Sequence, residues 1–219
     1  MQRNKHVYTH SESGSELMSG EVVKELASPI NYPAGLTFDG RHLWITFDVG
    51  LNPFCQIDLD GNIIKNLLPQ PNAAGALAFD GKYLWYSSWS DLEIFRLDLN
   101  GNVISSFPRP AANCVGLAFD GKYLWVSSCG TTRIYQMLLD GTVIKSFVAP
   151  AANPEGLAFD GKHLYCNCWS SGFVWQLDLD GNVIRSFPSP SVSAAGLVFD
   201  GRNLWLCDYS VHKIYQIAI

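Results

Sequence analysis

The sequence predicts an all-β fold, a five-bladed β-propeller of four-stranded antiparallel blades, and two observations carry this prediction. The first is a repeat: Gly-Leu-Ala-Phe-Asp-Gly stands at 116–121 and again at 156–161, with near-copies at 35–40, 76–81 and 196–201. The second is a tight-turn signal, Asp-Gly or Asn-Gly, at two fixed places, the first present in all five copies and the second in four. A spacing of about 40 residues with short alternating apolar segments is typical of propeller blades, which bury their faces against one another.

The third copy shows the elements of one blade in order. Its apolar and alternating runs predict four strands, with tight turns after the first and the third. The predicted strands are 115–120, 122–128, 133–139 and 142–147, and the turns are Asp120-Gly121 and Asp140-Gly141. Strands joined by turns this short run antiparallel.

The end of the chain indicates how the ring closes. The last copy stops at Ile219, after only three strands. Residues 20–26, Gly-Glu-Val-Val-Lys-Glu-Leu, match the missing fourth strand, because a glycine begins the same segment in the other copies. We therefore expect an N-terminal strand at about 20–27 to complete the fifth blade and pair an otherwise open sheet edge. Residues 20–219 then form a single domain, and 1–19 form a polar tail.

Two rows of aromatic residues recur, one in the first predicted strand and one in the second. The rows are Phe38, Phe79, Phe119, Phe159 and Phe199, and Trp44, Trp85, Trp125, Tyr165 and Trp205. Such rows could form a ladder for stacking a ligand, but burial between blades stabilises each ring by roughly 1.5–3 kcal/mol and is the interpretation we favour. Both rows are expected in the core.

Composition limits the partners. The formal net charge is −5, with 47% hydrophobic and 16% charged residues. This balance argues against nucleic acid and against an anionic membrane, both of which require a basic surface. No apolar run approaches the roughly 18 residues of a membrane span, and the polar N-terminus lacks the apolar stretch of a secretory signal. We expect a monomer. The sequence favours the cytoplasm but leaves the location open.

Two patterns suggest metal binding, and we favour another interpretation of each. Cys166 and Cys168 lie on one strand face, where Cys129 or Cys207 could join them around a soft metal. The six cysteines follow no common repeat position, however, which favours reduced thiols acting as small apolar residues. The segment 58–62, Asp-Leu-Asp-Gly-Asn, spaces oxygen ligands like a calcium loop, but a hairpin turn accounts for the same letters. We expect no metal and no cofactor.

The blade topology separates a constant face from a variable one. The first-to-second and third-to-fourth turns share the lower face, where Asp-Gly or Asn-Gly recurs in nearly every copy. The second-to-third loops and the blade connections share the upper face, where the copies differ. Binding residues concentrate on loops that a rigid scaffold positions, so we place the site on the upper face, at the mouth of the central channel. Drift of unconstrained loops is the alternative.

The candidate site residues follow from this placement. Glu155 is the clearest, because the residues at the same position in the other copies are Ala34, Gly75, Val115 and Ala195. The other candidates are polar or aromatic residues of the upper loops and strand ends. They are Asp48, Trp89, Asn113, Cys129, Asn153, Trp169, Asp208 and Tyr209. A concave mouth with a few carboxylates, amides and rings suits a small molecule or a sugar.

The repeated blade resembles those of bacterial propellers grouped with NHL-type repeats, through Gly-Leu-Ala-Phe-Asp-Gly-Lys-Tyr-Leu-Trp-Val at 116–126 and the later Ile-Tyr-Gln and Asp-Gly-Asn-Val-Ile segments. The resemblance covers residues 20–219. Glu155-Gly156-Leu157 also resembles the Glu-Gly segments on the inner strands of the plant and bacterial type of glutaminyl cyclase, which is five-bladed. That resemblance implies that Glu155 is an acid/base carboxylate that moves protons during ring closure.

Three functions follow, in order of preference. The first is a non-catalytic binding module that takes a small molecule, a glycan or a protein at its upper face. The second is an enzyme of the glutaminyl-cyclase kind with Glu155 as its acid/base. The third is a repeat scaffold with no evolved ligand, which the near-verbatim copies favour.

Overall fold

The computed structural model describes residues 18–47, 54–67, 74–88 and 91–219. These residues form twenty β-strands and no helix, so none of them belongs to a helix that could cross a membrane. In chain order the strands are β1 (Val22–Ala27), β2 (Pro33–Phe38), β3 (Leu43–Phe47), β4 (Phe54–Ile57), β5 (Ile63–Leu67), β6 (Ala74–Phe79), β7 (Leu84–Ser88), β8 (Glu93–Leu97), β9 (Val103–Pro108), β10 (Cys114–Phe119), β11 (Leu124–Ser128), β12 (Arg133–Met137), β13 (Val143–Val148), β14 (Pro154–Phe159), β15 (Leu164–Cys168), β16 (Phe173–Leu177), β17 (Val183–Pro188), β18 (Ala194–Phe199), β19 (Leu204–Asp208) and β20 (Lys213–Ile217).

The strands form five four-stranded antiparallel sheets, which confirms the five-bladed propeller. Blades 1 to 4 are β2–β5, β6–β9, β10–β13 and β14–β17, and blade 5 has the order β1-β20-β19-β18. The N-terminal strand therefore completes the last blade, as the sequence predicts. Its register pairs Val22 with Ile217 and Leu26 with Ile214. The Gly20 N–H also donates to the carbonyl of Ala218 at 2.9 Å.

Each first turn is closed by its aspartate. In blade 3, Asp120 Oδ1 accepts the N–H groups of Lys122 and Tyr123 at 2.9 and 2.7 Å, while Oδ2 accepts the indole N–H of Trp125 at 2.7 Å. The second oxygen explains why a tryptophan can be fully buried at this position, since its one donor is satisfied. The turn aspartate and the buried tryptophan thus form one hydrogen-bonded unit, whereas the sequence pattern shows them as two separate repeat positions.

The third strand of blade 3 ends earlier than predicted, at Met137. Leu138 already belongs to the turn, because its N–H donates to the carbonyl of Thr142 at 2.8 Å and its carbonyl accepts from Gly141 at 3.1 Å. The apolar side chain of Leu138 extends the alternating pattern beyond the ladder, which accounts for the overestimate.

A glycine in the second turn lets neighbouring blades pack at the perimeter. Gly141 has φ +94°, and a Cβ built there would lie 2.8 Å from the ring of Phe107, on the outer strand of the preceding blade. Gly20 has the same conformation, with φ +91°, and meets Phe187 in the same way. The N-terminal segment thus reproduces both the strand and the turn of the other copies.

The first strands line the central channel and are fastened to each other by the second strands. Thr46 Oγ1 donates to the carbonyl of Gly75 at 2.6 Å, and Ser127 Oγ to the carbonyl of Glu155 at 2.5 Å, in each case across a blade boundary. Below these bonds, a ring of buried leucines leaves a void of only about 10 Å³, at the lower limit for one water. The leucines are Leu36, Leu77, Leu117, Leu157 and Leu197. The upper mouth of the channel is therefore closed at its lower end.

The two aromatic rows have different environments. The tryptophan row is buried as predicted: Trp44, Trp85, Trp125, Tyr165 and Trp205 are at most 1% exposed. The phenylalanine row is only partly buried, because it lies at the lower ends of the first strands, around the lower mouth of the channel. The prediction that the phenylalanine row lies in the core is thus correct only in part.

Candidate functional site

A cavity of about 340 Å³ opens at the upper mouth of the channel. Its walls come from the residue before each repeat glycine, from blade connections and from residues just beyond the second strands. They are Ala34, Gly75, Asn113, Val115, Cys129, Asn153, Glu155, Trp169, Ala195 and Tyr209. Six of the nine predicted site residues, Glu155 among them, therefore lie around one cavity.

The remaining three predictions divide into two groups. Asp48 and Trp89 lie outside the described residues, so the structure places neither. Asp208 is described and does not line the cavity. It is only 4% exposed, and its Oδ1 accepts the N–H groups of Ser210 and Val211 at 2.7 and 3.0 Å. Burial opposes ionisation of Asp208, but hydrogen bonds from Ser191, Val211 and Ser210 outweigh it and lower the pKa of this carboxyl. Asp208 thus holds the loop after β19.

Glu155 lies in β14, at the rim of the channel. Glu155 is the second residue of this strand, which lines the channel. Its backbone carbonyl accepts a hydrogen bond from Ser127 of the preceding blade. The side chain is half-buried, and its Oε1 lies 3.4 Å from Cys129 Sγ, which also lies 3.1 Å from the carbonyl oxygen of Pro154. The backbone of Glu155 is therefore held in place, and a thiol donor lies beside its carboxylate.

Cys129 is a neutral thiol in this setting. Burial, and then the charge of Glu155, raise the pKa of Cys129 well above its ordinary value. A thiol that resists ionisation is a poor nucleophile, so Cys129 acts here as a hydrogen-bond donor and as an apolar part of the wall.

Asn113 and Asn153 fix the blade connections above the first strands. Both are exposed and adopt left-handed backbone angles, with φ of 50° and 52°, a conformation that asparagine tolerates better than most residues. Their carbonyls accept the N–H groups of Cys129 at 3.0 Å and Trp169 at 2.9 Å. The two asparagines therefore position the wall residues and also present amides to the cavity.

A row of rings continues from the cavity across the upper face of blade 5. Trp169 and Tyr209 meet edge to face with centroids 5.8 Å apart. Tyr32 lies 5.2 Å from Tyr209 and 4.8 Å from His212. Tyr32 is not among the residues predicted from the sequence, although it precedes β2 just as Asn113 precedes β10. It also shares the left-handed backbone of Asn113, with φ 52°. The row lengthens the aromatic wall beyond the cavity.

The cysteines and the aspartate of the 58–62 turn have the following surroundings in the described part of the chain. All six cysteines are in the described part of the chain and are free thiols, and five of them are buried. Interaction with Cys168 and complete burial raise the pKa of Cys166. Asp58 is used by its own turn, since its carboxylate accepts from Asp60 and from both the backbone and the amide of Asn62. Across the described ranges, no three His, Cys, Asp or Glu side chains are grouped to hold a metal ion.

The arrangement can accept protons or hydrogen bonds at one carboxylate and can pack flat groups against two rings. The Glu155 oxygens supply the acceptor, the asparagine amides supply donors, and Trp169 and Tyr209 supply the apolar surface.

Comparison with known proteins relates the chain to other propellers by fold. No family model matches the chain, and neither does any curated protein. The glutaminyl cyclase of Myxococcus xanthus is similar with a TM-score of 0.77 and 16% identity, over 90% of this chain and 94% of that one. Virginiamycin B lyase of Staphylococcus aureus has a TM-score of 0.55 and 21% identity, over 89% of this chain and 68% of that one. A chain of a nidogen–laminin complex has a TM-score of 0.62 and 18% identity, with coverages of 82% and 73%. At these identities the similarity establishes the β-propeller fold.

Proposed function

We propose that the protein is a binding module that takes a small organic molecule in the cavity at the upper mouth of its channel. The observation that carries the proposal is the meeting of one carboxylate, Glu155, with two aromatic rings in a cavity of about 340 Å³. Cavities of roughly 300–1,000 Å³ with apolar walls and few polar groups are typical of small-molecule sites.

The shape of the cavity favours a compact ligand. The ring of leucines closes the channel beneath it, so a ligand enters from the upper face and cannot thread through. A small molecule, or the end of a glycan or peptide, fits this pit better than a broad protein surface would.

The chemistry of the walls favours a ligand with a donor group and an apolar body. A carboxylate accepts strong hydrogen bonds from an ammonium or amide group. Trp169 and Tyr209 offer ring faces or edges to an apolar or cationic portion of the same molecule. Burial and the neighbouring Glu155 raise the pKa of Cys129, so this thiol adds no charge to the wall.

We expect a panel of metabolites, amines, amides and sugars to contain compounds that raise the melting temperature, since a ligand of the native state must stabilise it. For such compounds, Glu155→Gln should weaken binding by at least about tenfold, equal to about 1.4 kcal/mol. Isothermal titration calorimetry measures the change. Asp180→Asn is the matched control, because it removes one negative charge at an exposed lower turn and should leave the affinity unchanged.

Two results would count against the binding module. A panel without any stabilising compound would favour a scaffold with no evolved ligand. Equal loss of affinity in Glu155→Gln and Asp180→Asn would show that net charge, and not the upper cavity, governs binding.

A glutaminyl-cyclase-like activity is the second candidate, and two observations favour it. Glu155 lies on an inner strand at the cavity wall, and the fold is similar to that of a glutaminyl cyclase along nearly the whole chain. In such a reaction the amine of an N-terminal glutamine attacks its own side-chain amide and ammonia leaves, and a carboxylate can relay the proton.

If this second candidate is correct, the protein will release ammonia from a peptide with N-terminal glutamine, and Glu155→Gln will lower kcat by roughly 10²–10⁴-fold. Mass spectrometry of the peptide, which loses the mass of ammonia, measures the reaction independently of any coupling enzyme. The absence of turnover by the wild-type protein would exclude this candidate and leave the binding module intact.

A further inference from the structure

One repeat position on the lower face carries a ring in four blades and an asparagine in the fifth. The residues are His42, Tyr83, Tyr123, His163 and Asn203. All five have the same backbone environment, because each donates its N–H to Oδ1 of the turn aspartate at 2.6–2.7 Å. Only the side chain differs, so the other blades show what a ring does at this place.

In three blades the ring contacts a side chain of the third strand, the one whose residue pairs with the position two residues after the ring. The Nδ1 atoms of His42 and His163 lie 3.3 and 3.0 Å from the amides of Gln56 and Gln176. In blade 2, the Arg96 guanidinium lies 4.9 Å from the centre of the Tyr83 ring. The lysine before each tyrosine also covers its ring: Lys82 and Lys122 lie 4.8 Å from the ring centres.

Blade 5 has the surrounding groups without the ring. A cavity of about 380 Å³ lies at the boundary of blades 5 and 1. Its polar wall consists of Asp200, Arg202, Asn203 and Gln216. Asn203 stands at the ring position, Gln216 corresponds to the glutamines of blades 1 and 4, and Arg202 corresponds to the lysines that cover the tyrosines of blades 2 and 3. Its apolar wall consists of Val23, Phe38 and Leu59.

We propose that this cavity is a second binding site, and that it takes a small planar aromatic molecule with a polar ring substituent, such as a phenol. The bound ring lies between Phe38 and Leu59 on one side and Asn203 on the other, beside the repeat position at which blades 2 and 3 carry a tyrosine. The Gln216 amide, which donates to Asp200 Oδ2 at 3.0 Å, offers its hydrogen-bonding edge to the substituent. The Arg202 guanidinium stacks on the ring as Lys82 does on Tyr83. The site is on the face opposite the upper cavity and does not depend on the function proposed for that cavity.

The probe is 4-methylphenol, the side-chain analogue of tyrosine, titrated into the full chain. The indole N–H of Trp205, which donates to Asp200 Oδ2 at 2.7 Å, reports the site by NMR. We expect saturable shifts of the Trp205 indole and Gln216 amide resonances, with a dissociation constant on the order of 1 mM, as is ordinary for a fragment of this size. The non-aromatic 4-methylcyclohexanol should bind at least about fivefold more weakly, because it cannot stack under a guanidinium.

Variants at the missing ring decide between this site and nonspecific binding. Asn203→Tyr fills the cavity with the covalent equivalent of the probe and should weaken binding by at least about tenfold. Asn203→His fills it with the ring of blades 1 and 4 and is the second variant if the tyrosine protein folds poorly. Asn203→Ala keeps the cavity open and should bind within about threefold of wild type. The proposal is overturned if neither resonance shifts at about 10 mM probe, if a ring-bearing variant binds as tightly as wild type, or if the cyclohexanol binds equally well.

Discussion

Valine in place of Gly116 is expected to prevent stable closure of the ring. A Cβ at this position would overlap the carbonyl oxygen of Glu155 in the next blade and Oγ of Ser127. These two atoms are hydrogen-bonded to each other across the blade boundary, so the branched side chain would separate neighbouring first strands and break that bond. We expect a loss of at least about 3 kcal/mol in the free energy of unfolding, or failure to fold. Urea denaturation followed by tryptophan fluorescence measures the loss.

Blade 2 supplies the control for Gly116→Val, because Ala76 occupies the same repeat position and is buried. The hydrogen bond across the blade boundary also differs there. Ser87 Oγ donates to the carbonyl of Cys114 at 2.8 Å, whereas the residue that corresponds to Glu155 is Val115. Ala76→Gly should therefore cost only about 0.5–1 kcal/mol, from backbone entropy. Similar losses for Gly116→Val and Ala76→Gly would show that the first strands can separate easily, which would contradict the close approach of Gly116 to the Glu155 carbonyl.

Deleting residues 1–29 is expected to yield a poorly soluble or oligomeric chain. The deletion removes β1 and leaves the backbone groups of β20 unpaired along a sheet edge. An open edge of this kind pairs with other chains. It also removes Leu26, which packs beside the turn at Gly61 in blade 1, so the boundary between the first and last blades loses contacts as well. Size-exclusion chromatography and the soluble fraction on expression measure the effect.

Two control experiments test whether the effect of the deletion comes from the loss of β1. Removing residues 1–17 alone should leave the melting temperature unchanged, if the polar tail lies outside the propeller as the sequence predicts. A synthetic peptide of residues 18–29, added to the deleted chain, should restore a monomer by supplying the strand in trans. A deleted chain that is fully folded and monomeric without the peptide would contradict the role of β1 in closure.

Much of the fold could be predicted from the sequence because the same local pattern recurs five times. Each copy contains its own strand alternation and turn chemistry, and stacking identical units leaves few other arrangements. The unpaired end at Ile219 and the matching segment at 20–26 then specify closure. The error at Met137 is local: Leu138 extends the alternation, and only the turn hydrogen bonds show that the ladder has ended.

The candidate site could be located from the sequence less completely. Topology places the second-strand ends and the residue before each repeat glycine at one mouth, which identifies Glu155, Cys129, Trp169 and Tyr209. It does not separate Tyr209, which lines the cavity, from its neighbour Asp208, which turns inward to hold its loop. Asp208 is the last residue of β19 and Tyr209 is the first residue of the turn that follows, so the strand alternation does not extend to Tyr209.

By itself, the sequence determined the number of blades, the closing strand and the face on which the copies differ, because these follow from a periodic pattern and from chain connectivity. Only the tertiary structure decided that the channel narrows to a small void among buried leucines, that Glu155 shares a cavity with two rings, and that Asn203 lines a cavity between blades 5 and 1. Each of these depends on distances between side chains of different blades. Residues far apart in the chain come together only when the ring has closed, so no local pattern encodes those distances.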